Sequence, residues 1–186
     1  KEACRTNKSW QEEGYRPITV TVNLSSKQFY QPQLSKRIEK ILQETALDPR
    51  YLELEIIETT ILNKSPEVKQ ILHSLKSLGL SLALDDFGTG HTSLTYLRDF
   101  PISTVKIDQS FIKPLPTDTK NAAITQAMIA LAHQLGLRVV AEGVETAEQL
   151  QFLSKLNCDE IQGYWFSQPL PASELRVLFS QLPLSL

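Results

Sequence analysis

At 186 residues, 41% apolar and 22% charged, the chain can bury a sizeable core as one domain, and its net charge of −2 leaves no basic footprint for polymeric nucleic acid. Its two cysteines, Cys4 and Cys158, support neither a disulfide framework nor a thiolate metal site and suit a reducing, cytoplasmic compartment. No apolar run is long enough for a membrane segment, and no signal peptide is legible.

The chain opens on "KEACRTNKSWQEEGY", the body of a helix closed by Gly14 with no capping residue before it, so the N-terminus reads as a cut edge. Strand Ile18–Leu24 turns Ile18, Val20 and Val22 one way and Thr19, Thr21 and Asn23 the other. Leu34, Ile38, Ile41 and Leu42 make an apolar helical stripe. In strand Tyr51–Ile57, Leu52, Leu54 and Ile56 oppose Glu53, Glu55 and Ile57. Ser65-Pro66 caps a helix whose stripe runs through Val68, Ile71, Leu72, Leu75 and Leu78 to a left-handed terminus at Gly79. Strand Ser81–Asp86 sets Leu82, Leu84 and Asp86 against Ser81, Ala83 and Asp85, and then enters the loop Phe87-Gly88-Thr89-Gly90. In strand Thr104–Asp108, Val105 and Ile107 oppose Lys106 and Asp108. A helix ending at Gly136 leads to strand Arg138–Glu142, and a helix with a Thr146–Gln149 capping box leads to strand Glu160–Tyr164.

Strand–helix alternation predicts a parallel sheet covered by helices. A doubly wound sheet would be apolar on both faces, whereas these strands carry one aliphatic and one small or polar face. A TIM-type (β/α)8 barrel, α/β in class, with its site at the C-terminal mouth explains the polar face. Such a barrel needs eight strands, and only six β/α units are legible, so residues 1–186 read as one domain incomplete on its N-terminal side.

Polar residues gather near the strand ends: Asn23, Glu55, Asp85, Asp86, Lys106, Asp108, Glu142 and Gln162. Oxygen donors without cysteine or histidine select Mg²⁺, Mn²⁺ or Ca²⁺ over zinc, and this many carboxylates could hold two cations for attack of water on a phosphodiester. Lys106 would then position the water or offset transition-state charge. Any one strand-end carboxylate could equally be solvated or cap a helix, but six strands ending alike favour a site. Asp85 and Asp86 leave a continuous strand in opposite directions, so the turn into Phe87-Gly88 must swing Asp86 back, along a path the glycines permit. His73 and His133 fall in helical stretches and read as structural or solvated, His91 lies beside the glycine loop, and Cys158 reads as packing.

"VTVNLS", "LELEIIE", "LALDDFGTGHTSLTYL", "VKIDQSFI", "VVAEGVET" and "IQGYWFSQPL" resemble, in order and spacing, the motifs of the EAL-domain family, over nearly the whole chain. The resemblance implies a modified (β/α)8 barrel that hydrolyses cyclic di-GMP to linear pGpG with two Mg²⁺ or Mn²⁺ ions. By the same resemblance Asn23, Glu55, Asp85, Asp86 and Glu142 hold metal, Lys106 orients the water with Glu55 and Glu142 in the catalytic set, and Gln162 and Asp108 meet substrate. Glu58 resembles the glutamate that braces the Asp86–Gly90 loop, and Leu94, Tyr96 and Leu97 fall in a segment implied to help form a homodimer. Flanking sensory or cyclase domains are implied as well. Two features depart from the pattern: Ile57 stands where the family usually has threonine, and the Glu-Ala-Leu signature, expected on a missing strand, is nowhere in the chain. The rival reading is an EAL-type module that binds cyclic di-GMP or a protein without turnover.

Overall fold

The computed structural model describes residues 1–61, 65–89 and 94–181. The elements in order are α1 (Glu2–Glu12), β1 (Val20–Leu24), α2 (Ser26–Phe29), α3 (Leu34–Thr45), β2 (Leu52–Ile57), α4 (Glu58–Ile61), α5 (Pro66–Lys76), β3 (Ser81–Phe87) and α6 (Leu94–Asp99). There follow β4 (Thr104–Ile107), α7 (Gln109–Ile112), α8 (Thr119–Gln134), β5 (Arg138–Glu142), α9 (Ala147–Lys155), β6 (Glu160–Gln162) and α10 (Ala172–Gln181). No described helix is long and apolar enough to cross a membrane.

The six strands lie side by side in chain order, and every pair is parallel. Right-handed crossovers without a reversal of strand order put the long crossover helices on one face. That is the winding of a barrel, here an arc of six strands, and it leaves the other face to line the interior. Ile56, Leu82, Leu84 and Ile107 are fully buried on the helix side, with Leu72 and Leu75 of α5, Ile129 of α8 and Leu153 of α9. The interior face carries Glu53, Glu55, Thr104 and Lys106, which are buried and polar. At its N-terminal rim Thr104 Oγ1 donates to Glu53 Oε1 at 2.8 Å, and Arg138 Nη2 donates to the same oxygen at 3.0 Å.

The local signals act where they were expected. Ser65 accepts from Val68 N, Thr146 and Gln149 form a reciprocal capping box, and Gly14, Gly79 and Gly136 all have positive φ. Four strand ends are shorter than expected, each for a local reason. Ahead of β2, Tyr51 closes a 3-10 turn, Pro49–Tyr51. Asn7 Nδ2 donates to Ile18 O at 2.9 Å, so Ile18 is tied to α1 and not to a ladder. Asp108 leaves β4 to cap α7. Beyond Gln162 the chain turns at Gly163, packed against the Val144 backbone, so Tyr164 lies outside β6.

Truncating a fully buried side chain between sheet and helices forfeits its transfer energy and leaves a cavity. Leu84→Ala is expected to destabilise the domain by about 3 kcal/mol, read as a lower urea midpoint with an unchanged m-value.

Candidate active site

The ladder register brings the polar strand ends to one rim. Asn23 pairs with Glu55, and Glu142 pairs with Gln162. Between β3 and β4 the pairing runs Leu84–Val105 and then Phe87–Ile107, so Asp85 and Asp86 together oppose the single residue Lys106. This is a β-bulge, and it removes the alternation that would send two adjacent aspartates to opposite faces. Asp85, Asp86 and Glu142 each bring a carboxylate oxygen within 4.8 Å of the others. The swing of Asp86 toward the mouth thus starts one residue earlier than expected: Asp86 itself takes φ +57°, a conformation aspartate tolerates better than most side chains. Gly88, at φ +99°, then completes the turn, and Thr89 closes it by donating both N–H (3.2 Å) and hydroxyl (2.9 Å) to Asp86 O.

Lys106 is the hub of the rim. Its Nζ lies 2.6 Å from Glu55 Oε1, 2.5 Å from Glu142 Oε1 and 3.6 Å from Asp85 Oδ1, and the residue is only 5% exposed. Burial alone would favour the neutral amine, but the hydrogen bonds to Glu142 and Glu55 outweigh it and hold the ammonium above its ordinary value. Glu142 is displaced upward by burial, a shift that Lys106 opposes and that repulsion from Asp85 and Glu55 reinforces. Asp86 is raised by burial and then by the charges of Asp85 and Asp108. One ammonium therefore faces four carboxylates. Asp85 Oδ1 is buried with no hydrogen-bond partner among the described residues, since Lys106 stands beyond hydrogen-bond reach. A buried carboxylate oxygen that lacks a hydrogen bond, beside two more carboxylates and with oxygen as the only donor type, fits a hard divalent cation.

The remaining expected residues sit at graded distances from this hub. Asn23 shares the rim through its register with Glu55 but lies exposed on the edge strand, outside the carboxylate cluster. Gln162 lines a cleft of about 440 Å³ with Gln109, Lys113, Glu145 and Tyr164, next to Glu142. Asp108 accepts from Ser110 N at 3.0 Å as the cap of α7, while its charge still reaches Asp86. Glu58 is 1% exposed, and its Oε2 accepts from Gly88 N at 3.2 Å, a hydrogen bond made with isoleucine at position 57. His133 pairs with Asp159 at 2.9 Å, and the same Asp159 oxygen accepts from Val139 N near the start of β5, the opposite end from the mouth. Burial pushes the Cys158 thiol up to about 11, in keeping with a packing role. Leu97 is buried in the core, whereas Gly90, His91 and the side chains of Leu94 and Tyr96 lie outside the described residues. The expected site set omits Gln109, Lys113 and Glu145. Gln109 directly follows a strand-end aspartate and was legible by position, but Lys113 enters the cleft only through the turn of α7.

A family profile described as EAL domain matches residues 1–169. The chain is 42% identical over 182 residues to the signaling protein YkoW of Bacillus subtilis, covering 98% of this chain and 23% of that protein. It is 40% identical over 174 residues to the bifunctional diguanylate cyclase/cyclic di-GMP phosphodiesterase MucR of Pseudomonas aeruginosa, covering 94% of this chain and 25% of that protein. The chain thus spans about a quarter of the length of the curated relatives it matches. A solved structure of the PaMucR phosphodiesterase in complex with c-di-GMP is similar at a TM-score of 0.90 and 40% identity, covering 94% of this chain and 70% of that one. The manganese and cyclic di-GMP complex of Klebsiella pneumoniae BlrP1 is similar at a TM-score of 0.79 and 26% identity, covering 89% of this chain and 42% of that one.

The charge balance of the rim has two measurable consequences in metal-free protein. The raised values of Asp86 and Glu142 contribute stability that is complete below the ordinary carboxylate range and is lost as pH rises through the raised values. Asp86→Asn is therefore expected to raise the melting temperature in EDTA at pH 7, with the gain vanishing in acid below the ordinary aspartate range. Lys106→Met removes the only ammonium paired with Glu55 and Glu142 among the described residues, and is expected to cost about 3–5 kcal/mol in denaturant melts at pH 7.

Proposed function

Because this chain belongs to the EAL-domain family, we propose that its barrel mouth hydrolyses cyclic di-GMP to linear pGpG with two divalent cations, Mg²⁺ or Mn²⁺. The observation that carries the reading is the aspartate pair turned by the bulge toward Glu142, with the buried Asp85 Oδ1 left for a ligand. Asn23, Glu55, Asp85, Asp86 and Glu142 would hold the cations. When bound, the cations supply a water of lowered pKa and a clamp on the phosphodiester oxygens.

The chain's own groups divide the remaining work. Against the effect of burial, the hydrogen bonds to Glu142 and Glu55 hold Lys106 as the ammonium in the metal-free site, which makes it a donor. Aimed by Glu55 and Glu142, its ammonium orients the attacking water and offsets the negative charge that grows on the phosphorus oxygens in the transition state. Gln162, on the cleft wall beside Glu142, offers an amide donor and acceptor to substrate, and Asp108 supplies a further acceptor at the rim. Glu58 holds the Asp86 turn so that the carboxylates need not reorganise on binding. The activity belongs to the complete eight-unit barrel, of which this chain supplies six units. A homodimer through the segment that includes α6, flanking sensory or cyclase domains, and a cytoplasmic location complete the proposal; the greater length of the relatives is in keeping with further domains.

Asp85→Asn keeps the shape of the side chain but removes the charge that offsets the cations. In the full-length protein with saturating Mg²⁺ it is expected to lower turnover of cyclic di-GMP by on the order of 10²-fold or more, with a cooperative melt retained. Turnover near that of the unaltered protein would reduce the aspartate pair to a solvated strand end and overturn the reading.

A further inference from the structure

Glycine is favoured at position 88 by its backbone conformation, and its bare Cα lies against two side chains. Its φ of +99° lies in the left-handed region, and the place a Cβ would take is already occupied. Met128 Cε of α8 stands 2.2 Å from that place, and Phe111 Cε2 of α7 stands 3.0 Å from it. The Gly88 amide donates to the buried Glu58. The aspartate turn thus has two contacts at Gly88: a polar one to the first residue of α4 and an apolar one to the α7–α8 corner. Thr89 ties the carbonyl of Asp86 to the same turn through two hydrogen bonds, so a shift of Gly88 is carried to Asp86.

The geometry points to Met128, backed by Phe111, as a positioning residue for the Asp86 carboxylate. It is the stop that fixes how far the Asp86–Thr89 turn can retreat from the mouth. An unbranched thioether suits this role, because it can follow the contour of a backbone that has no side chain of its own. Its neighbours Thr125 and Ile129 on α8 are fully buried, which anchors the helix that carries it. Glu58 alone leaves one degree of freedom: a single hydrogen bond of 3.2 Å limits withdrawal of the amide but does not stop the turn from sinking into the space behind it. Met128 fills that space. The expected effect on cation binding rests on the functional reading above; the effect on the backbone does not.

The test uses the full-length protein and the variants Met128→Ala and Met128→Leu, with two readouts. Exchange of the Gly88 and Thr89 amides is followed without metal, and Mn²⁺ affinity is measured by titration without substrate. In Met128→Ala, amide exchange is expected to be roughly 10-fold faster and Mn²⁺ binding roughly 10-fold weaker, the scale found when a group supporting a metal ligand is lost. Far-UV dichroism should be unchanged. Met128→Leu, close in volume, should restore both readouts. A double-mutant cycle supplies a second measurement: Gly88→Ala should cost less affinity for Mn²⁺ in the Met128→Ala background, where the contact at 2.2 Å is gone, than in the unaltered protein. Unchanged exchange in Met128→Ala, failure of leucine to restore it, or strict additivity in the cycle would overturn the inference. If the unaltered protein binds no Mn²⁺, the functional reading fails and the metal-free exchange rates alone decide the role of Met128.

Discussion

The ammonium of Lys106, buried among carboxylates, is the constraint on which the mouth depends. A buried amine and the carboxylates around it are each costly to remove from water, and each is tolerable only because the others are present. Their meeting requires β2, β3, β4 and β5 to lie parallel and in register, since Glu55, Asp85, Lys106 and Glu142 come one from each strand. A slip of one residue in β4 would turn Lys106 into the aliphatic layer and leave the carboxylates repelling one another. The charge pattern therefore selects the same register as the hydrophobic pattern. Such agreement between levels is what specifies a single fold.

The two rims of the sheet use similar chemistry for different ends. At the N-terminal rim Glu53 is satisfied by Thr104 and Arg138, and Arg138 also reaches Glu160 at 2.7 Å, so charge and hydrogen bonds close on themselves. At the C-terminal rim negative charge exceeds positive, one oxygen each of Asp85 and Glu58 is buried without a hydrogen bond among the described residues, and two carboxyl groups are displaced upward by burial. A polar network that is complete stabilises; one left incomplete in this way is held in readiness for something else. The aliphatic layer between sheet and helices offsets the cost of that readiness.

The bulge at Asp85 and Asp86 puts one of the four non-glycine residues with positive φ among the described residues at the rim where the carboxylates meet. A non-glycine residue at φ +57° persists only when its surroundings over-determine it, and here they do: the Thr89 bonds, the Glu58 acceptor and the packing of Met128 and Phe111 all act on four consecutive residues. Strain, support and the aspartate carboxylates thus fall within one turn. The effect is a pair of carboxylates whose direction is set before any ligand arrives.

Much of this was legible in the chain alone. Period-two parity in "LELEIIE" and "LALDDF" assigned Glu55 and Asp85 to the interior face, and alternation with helical stripes assigned a parallel, barrel-type sheet. These are local properties: side-chain direction follows from backbone geometry, and caps such as Ser65 and Thr146 act within three residues. What the chain alone did not reveal lies in contacts between residues far apart in sequence. The bulge exists because β3 and β4 must accommodate two residues opposite one, and no pattern within "LDDFG" announces that Asp86 itself takes positive φ. The occupation of the Gly88 cradle by Met128 joins positions 40 residues apart, and the entry of Lys113 into the cleft beside Gln162 depends on how α7 turns away from Asp108. Periodicity determines which face a side chain takes; only the packed tertiary structure determines which atoms it meets there, because that distance is set by the position of every intervening element at once.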